Sequence, residues 1–168
     1  MRGEPSGDGP DPPHLRELAQ FLSVHLHRAP GVLWPEHDHP VLAAAPCPEA
    51  PARLAAGLAR RTGLPARPGT ALRQGPNRGD DGAGGGQHEA PAHLIVHQTA
   101  GAGVWHLSRG SGPDAESFRY RLRTGEVLYA PAGWAYRVDL TARARFVATL
   151  IEDAGHPPHE VSPPSSLA

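Results

Sequence analysis

The chain has 168 residues, a formal net charge of -1, 20 glycines and 20 prolines. That length suits one domain with loose ends, and the charge gives no electrostatic reason to expect nucleic acid or an anionic membrane as partner. All 16 basic residues are arginines, which excludes a Schiff-base lysine, and the lone Cys47 excludes an internal disulfide.

Residues 1–10 carry glycine, proline and charge but little to bury, and the same holds for 154–168, so both ends are expected to be disordered around a single domain over 11–153. The N-terminus lacks the apolar run of a secretory signal, and no segment approaches the ~18 apolar residues a membrane span needs, so a reducing, cytoplasmic setting is expected. Asp11 before Pro12-Pro13 reads as a helix start. Leu15, Leu18, Phe21, Leu22 and Leu26 then recur at helical spacing until Pro30-Gly31 stops the run. His25 and His27 are two residues apart on this helix, face different ways, and are read as solvated.

Gly31 to Trp34 and Val41 to Ala45 are short candidate strands. Between them lies Glu36-His37-Asp38-His39-Pro40. A His-x-His pair on an extended segment aims both imidazoles to one side, which opens a metal reading; a solvated polar turn is the expectation. Glu49 to Thr62 predicts a second helix, with Leu54 and Leu58 on one face and Gly63 and Pro65 ending it. Residues 65–87, with Gly84-Gly85-Gly86, read as a long flexible loop, because no helix or Lys/Ser/Thr follows to make a phosphate cradle.

From residue 93 the pattern becomes short strands between turns: 93–98, 104–108, 117–123, 126–130, 134–140 and 145–151. Phe118, Tyr120 and Leu122 alternate with Arg119, Arg121 and Arg123, so the arginines form a stripe on the opposite, solvated face. Six strands here and two earlier suffice for a double-sheet jelly roll. His93 and His97 share parity with Ile95, opposite to Gln98. They are therefore expected to point away from the interior as surface or interface histidines, which His106 could join in an external metal patch.

The run Gly125-Glu-Val-Leu-Tyr-Ala-Pro131-Ala-Gly133-Trp-Ala-Tyr136, with Gln98-Thr-Ala-Gly101-Ala-Gly103-Val-Trp105 upstream, resembles the cupin superfamily, specifically its JmjC-like Fe(II)/2-oxoglutarate oxygenase branch. The resemblance covers roughly 14–45 and 86–152. It implies a mainly β fold, a double-stranded β-helix (cupin or jelly-roll barrel), here preceded by two helices. It also implies a metal centre of two histidines and a carboxylate on the barrel interior. By the family's spacing the first histidine is His88, the carboxylate position is Ala90, the distal histidine is replaced by Tyr136, and the base that holds the co-substrate is replaced by Gly103.

One of three ligands therefore survives. Substitutes would be Glu89 turned inward by a bulge, Tyr136 as a phenolate at the catalytic position, and Arg121 or Arg137 for the co-substrate carboxylate. The expectation is a degenerate member without a cofactor, a binding or regulatory module for a small molecule or peptide. Its cavity would be lined by Gln98, Trp105, Tyr129, Trp134 and Tyr136. The rival is an active oxygenase that binds Fe(II) and 2-oxoglutarate through His88, Glu89 and either Tyr136 or His93. A scaffold that forms a homodimer is the third reading.

Overall fold

The computed structural model describes residues 12–39, 42, 48–69, 88–111 and 113–152. The expectations for the two termini, Asp11, Cys47 and the Gly84–Gly86 stretch fall outside these residues, as does most of the strand expected over Val41–Ala45. Leu42 is described and is helical, not strand, its N–H donating to the His39 carbonyl at 2.8 Å.

Helix α1 spans Pro13–His25 and α2 spans Ala50–Thr62. Pro13 takes the first turn of α1, where its missing N–H has no partner to lose, and Gly63 closes α2 with a left-handed φ of 72°. The strands are β1 Gly31–Leu33, β2 Ala66–Pro68, β3 His88–Glu89, β4 His93–Ala100, β5 Ala102–Arg109, β6 Glu116–Arg123, β7 Val127–Ala130, β8 Ala135–Leu140 and β9 Arg145–Ile151. The start of the expected 65–87 loop is therefore strand: Ala66–Pro68 pairs with Ile151–Thr149. Three residues ending in proline give no alternation to read, and the edge position of β2 is where a sheet tolerates proline.

All the strand pairs are antiparallel. One sheet has the order β1-β7-β4-β9-β2 and the other β3-β8-β5-β6. The pairs β5–β6, β4–β7, β3–β8 and β2–β9 are nested, so the chain forms one long ribbon doubled at β5–β6. Winding that ribbon brings β4 beside β9 and β5 beside β8 and produces a jelly roll, the architecture cupins share. The two sheets remain separate packed layers, not a closed barrel.

Alternation sorts the strand residues between two cores. Leu94, Val96, Trp105, Leu107, Leu122 and Phe146 pack between the sheets with their neighbours. Ile95, Val127, Tyr129 and Ile151 face the other side of the five-stranded sheet, where Leu15, Leu18 and Leu22 of α1 and Leu54 and Leu58 of α2 cover them. Each fully buried leucine there contributes roughly 1.5–3 kcal/mol of apolar burial.

Candidate functional site

The hallmark run folds as expected, as strand, turn and strand. Gly125 and Gly133 occupy the third positions of two turns, closed by Glu126 N–H to Arg123 O at 3.0 Å and Trp134 N–H to Pro131 O at 3.3 Å. Their φ values of 89° and 74° are ones glycine takes without strain. Gly133 N–H also donates to Ala90 O at 3.0 Å, and Ala90 N–H donates to Trp134 O at 2.9 Å, which locks the turn to the end of β3.

His88 and Tyr136 come together as the motif spacing requires. They are register partners across β3 and β8, with rings 5.6 Å apart. Tyr136 is buried against Trp105 at 6.1 Å, and burial raises its phenol above the ordinary range. His88 is exposed at the rim.

The remaining expected partners do not join them. Glu89 sits in regular register opposite Ala135 with its side chain exposed, so no bulge turns it inward. Arg121 pairs with Val104 and Arg137 with His106, positions that alternate away from Trp105 and Leu107. Both arginines are exposed on the outer face of the four-stranded sheet, and neither reaches the interior.

The iron centre implied by the resemblance does not fit this interior. Ala90, at the carboxylate position, is 2 % exposed and packed in the core. At Gly103, the position of the base, even a Cβ would stand 2.8 Å from Leu140 Cδ2. Trp105, Leu128, Trp134, Tyr136 and Phe146 pack together between the sheets.

The expected cavity lining divides between the two faces. Trp105 and Trp134 are buried between the sheets, with both indole N–H groups unpartnered. Gln98 is buried opposite Phe146, its Nε2 donating to Ala100 O at 2.8 Å and its Oε1 without a partner. Tyr129 lies on the helix side. Its hydroxyl accepts from His27 N–H at 3.1 Å and meets His93 Nδ1 at 3.0 Å. Since Ala132 N–H also donates to that Nδ1, at 3.2 Å, the His93 ring accepts there and carries its proton on Nε2. His93 is thereby committed to a structural network. His106 pairs with Asp139 at 3.1 Å on the other sheet and cannot join His93 and His97 in an external patch.

His93 and His97 point away from the interior, as parity predicts, but each is only 3 % exposed because α1 covers that face. Beneath α1, His97 meets a residue the motifs did not flag. His14 stands one and two turns before Leu18 and Leu22, on the buried stripe of α1, and a histidine at that position was the available signal. His14 Nε2 lies 3.1 Å from His97 Nε2, and His14 Nδ1 lies 2.9 Å from His37 O. His39 packs edge-on to His14 at 5.4 Å between ring centres.

These three imidazoles line a cavity of about 220 Å³ with Pro35, Asp38, Leu42 and the 124–126 turn. Burial, followed by the neighbouring His14, pushes His39 down to about 4. Burial, then His14 and His39, holds His97 well below its ordinary 6.5. Burial also lowers His14, against the opposing pull of the His37 carbonyl. Glu17 secures the 36–37 segment by accepting from Glu36 N–H at 2.9 Å and from the His37 ring. Burial alone would raise the Glu17 carboxyl, but those contacts outweigh it and lower it.

No protein-family model matches the chain, and no curated protein matches it. Among solved structures the chain is similar to YcfD, a ribosomal oxygenase from Escherichia coli, at 15% identity and a TM-score of 0.49, over 83% of this chain and 51% of that one. It is also similar to the vicilin of hazelnut, Corylus avellana, at 23% identity and a TM-score of 0.34, over 40% of this chain and 20% of that one. The chain thus spans about half the length of the first and a fifth of the second. Both are likenesses of fold.

Proposed function

We propose that this protein is a jelly-roll binding or regulatory module that has lost the Fe(II)/2-oxoglutarate chemistry its motifs resemble. The observation that carries the reading is the apolar character of the interior. Ala90 supplies no ligand atom, Gly103 carries no base, and Trp105, Trp134 and Tyr136 pack together between the sheets. The pairing of His88 with Tyr136 is the one feature an oxygenase reading would draw on, and two ring groups without a carboxylate fall short of a facial triad.

The binding site of the module is the His14–His39–His97 cavity, which takes a small ligand. At about 220 Å³ it lies below the usual ~300–1,000 Å³ of pockets for drug-sized molecules. No helix among the described residues is long and apolar enough to cross a membrane.

The test supplies the full chain, free of any histidine tag, with Fe(II), ascorbate and 2-oxoglutarate, and follows succinate. No succinate above the protein-free control is expected. Succinate that scales with protein and disappears in His88→Ala would overturn the reading and restore the oxygenase.

A further inference from the structure

We infer that the His14 and His97 Nε2 atoms form the seat of a divalent transition-metal ion of the zinc, cobalt or nickel class, outside the jelly-roll interior, with His39 closing the site. The inference rests on reading the α1 cavity as the binding site, and is independent of whether oxygenation has been lost.

The first argument is spacing. Two imidazole nitrogens, each ~2.0–2.1 Å from such an ion at the tetrahedral angle, stand ~3.3 Å apart. The observed Nε2–Nε2 separation is 3.1 Å, so the ion can sit between them without large movement of either ring, the proton they share passing to His97 Nδ1.

The second is orientation. His14 Nδ1–H donates to the His37 carbonyl, which fixes the tautomer and leaves Nε2 bare towards His97. An imidazole that donates its far nitrogen to a backbone carbonyl is the usual outer-shell arrangement of a metal-bound histidine. Glu17 in turn holds the 36–37 segment in place to receive that bond.

The third is burial. His97 is 3 % exposed and its Nδ1 has no partner, an orphaned buried polar atom of the kind that a bound ion or water accounts for.

His39 shares the cavity, with its ring centre 5.4 Å from that of His14. Asp38 and Glu126 line the same cavity. An exposed group, Glu17, Glu36 and His37, also gathers three ligand atoms within 4.8 Å. There, Glu17 is already engaged by the Glu36 amide and the His37 ring, so it serves the segment and not an ion.

Zinc is titrated by calorimetry into chelator-stripped, untagged full-length protein, and cobalt(II) is followed by its visible absorption, which intensifies in a tetrahedral nitrogen site. One ion per chain is expected. His14→Gln is expected to weaken binding at least tenfold, and His39→Gln likewise. His97→Leu should abolish it; circular dichroism checks that this variant folds, and His14→Gln carries the test if it does not. His88→Ala and Glu36→Ala should bind as the parent does. No uptake by the parent overturns the proposal, and so does undiminished uptake by folded His14→Gln. Loss of uptake in His88→Ala would place the ion in the interior, and loss in Glu36→Ala in the exposed group; either result overturns it. The succinate assay is separate, so a failed metal site and a failed reading of lost oxygenation are distinguishable.

Discussion

Tyr129 is fully buried, and its hydroxyl joins three elements: it accepts from His27 N–H after α1 and donates to His93 on β4 from its own place on β7. Burial raises this phenol to about 12, with the His27 amide pulling the other way. The folded protein therefore holds a proton that an unfolded tyrosine releases near 10. This stability is complete below pH 10 and is lost as pH rises to about 12, at up to about 1.4 kcal/mol per pH unit. Buried Tyr136 adds a change of the same sign. The chain has no lysine to obscure that range. Urea unfolding at pH 9, 10 and 11 should show the parent losing stability faster than Tyr129→Phe, which starts about 1 kcal/mol lower for its missing hydrogen bonds. Parallel losses in the two proteins would refute the assignment.

How far a single residue could be placed from sequence depended on whether its strand had one buried face. On β6, Phe118, Tyr120 and Leu122 alternate with exposed arginines, and the faces were legible. On β7 all four residues are buried, so alternation gave no direction, and Tyr129, expected in the interior cavity, lies on the helix side. The meeting of His88 and Tyr136 was legible because motif spacing encodes their pairing. That of His14 and His97 was not, because 83 residues separate them and only the docking of α1 brings them together.

Among the elements, α1 joins packing to the candidate site. Its stripe of Leu15, Leu18 and Leu22 buries the outer face of the five-stranded sheet, and the same docking carries His14 onto His97. Leu18 is fully buried. Leu18→Ala is expected to cost about 2–5 kcal/mol, from lost transfer energy and the cavity left behind. The loss should appear as a lower denaturation midpoint in urea, accompanied by weaker cobalt binding. Unchanged stability would mean that the helix contributes nothing to the core. Both helices were legible from their 3.6-residue periodicity, whereas β2 and β3, with three and two residues, are too short to carry any periodicity.

The whole molecule is governed by the nested ribbon. Strand β9 lies between β4 and β2, so residues 145–151 complete hydrogen bonding for segments that precede them by 81–85 residues in one case and 45–58 in the other. Cutting the chain before Arg145 should therefore leave no folded remainder: limited proteolysis of such a fragment should find no resistant core, while the intact chain resists. A protected core in the fragment would contradict the nested arrangement.

On the ribosome, that same doubling sets an order of events. Strand β2 waits without its partner, and one edge of β4 stays open, until Ile151 clears the exit tunnel, because only then can the five-stranded sheet close. Until that moment the nascent chain holds its apolar strands in the open, where a chaperone can reach them.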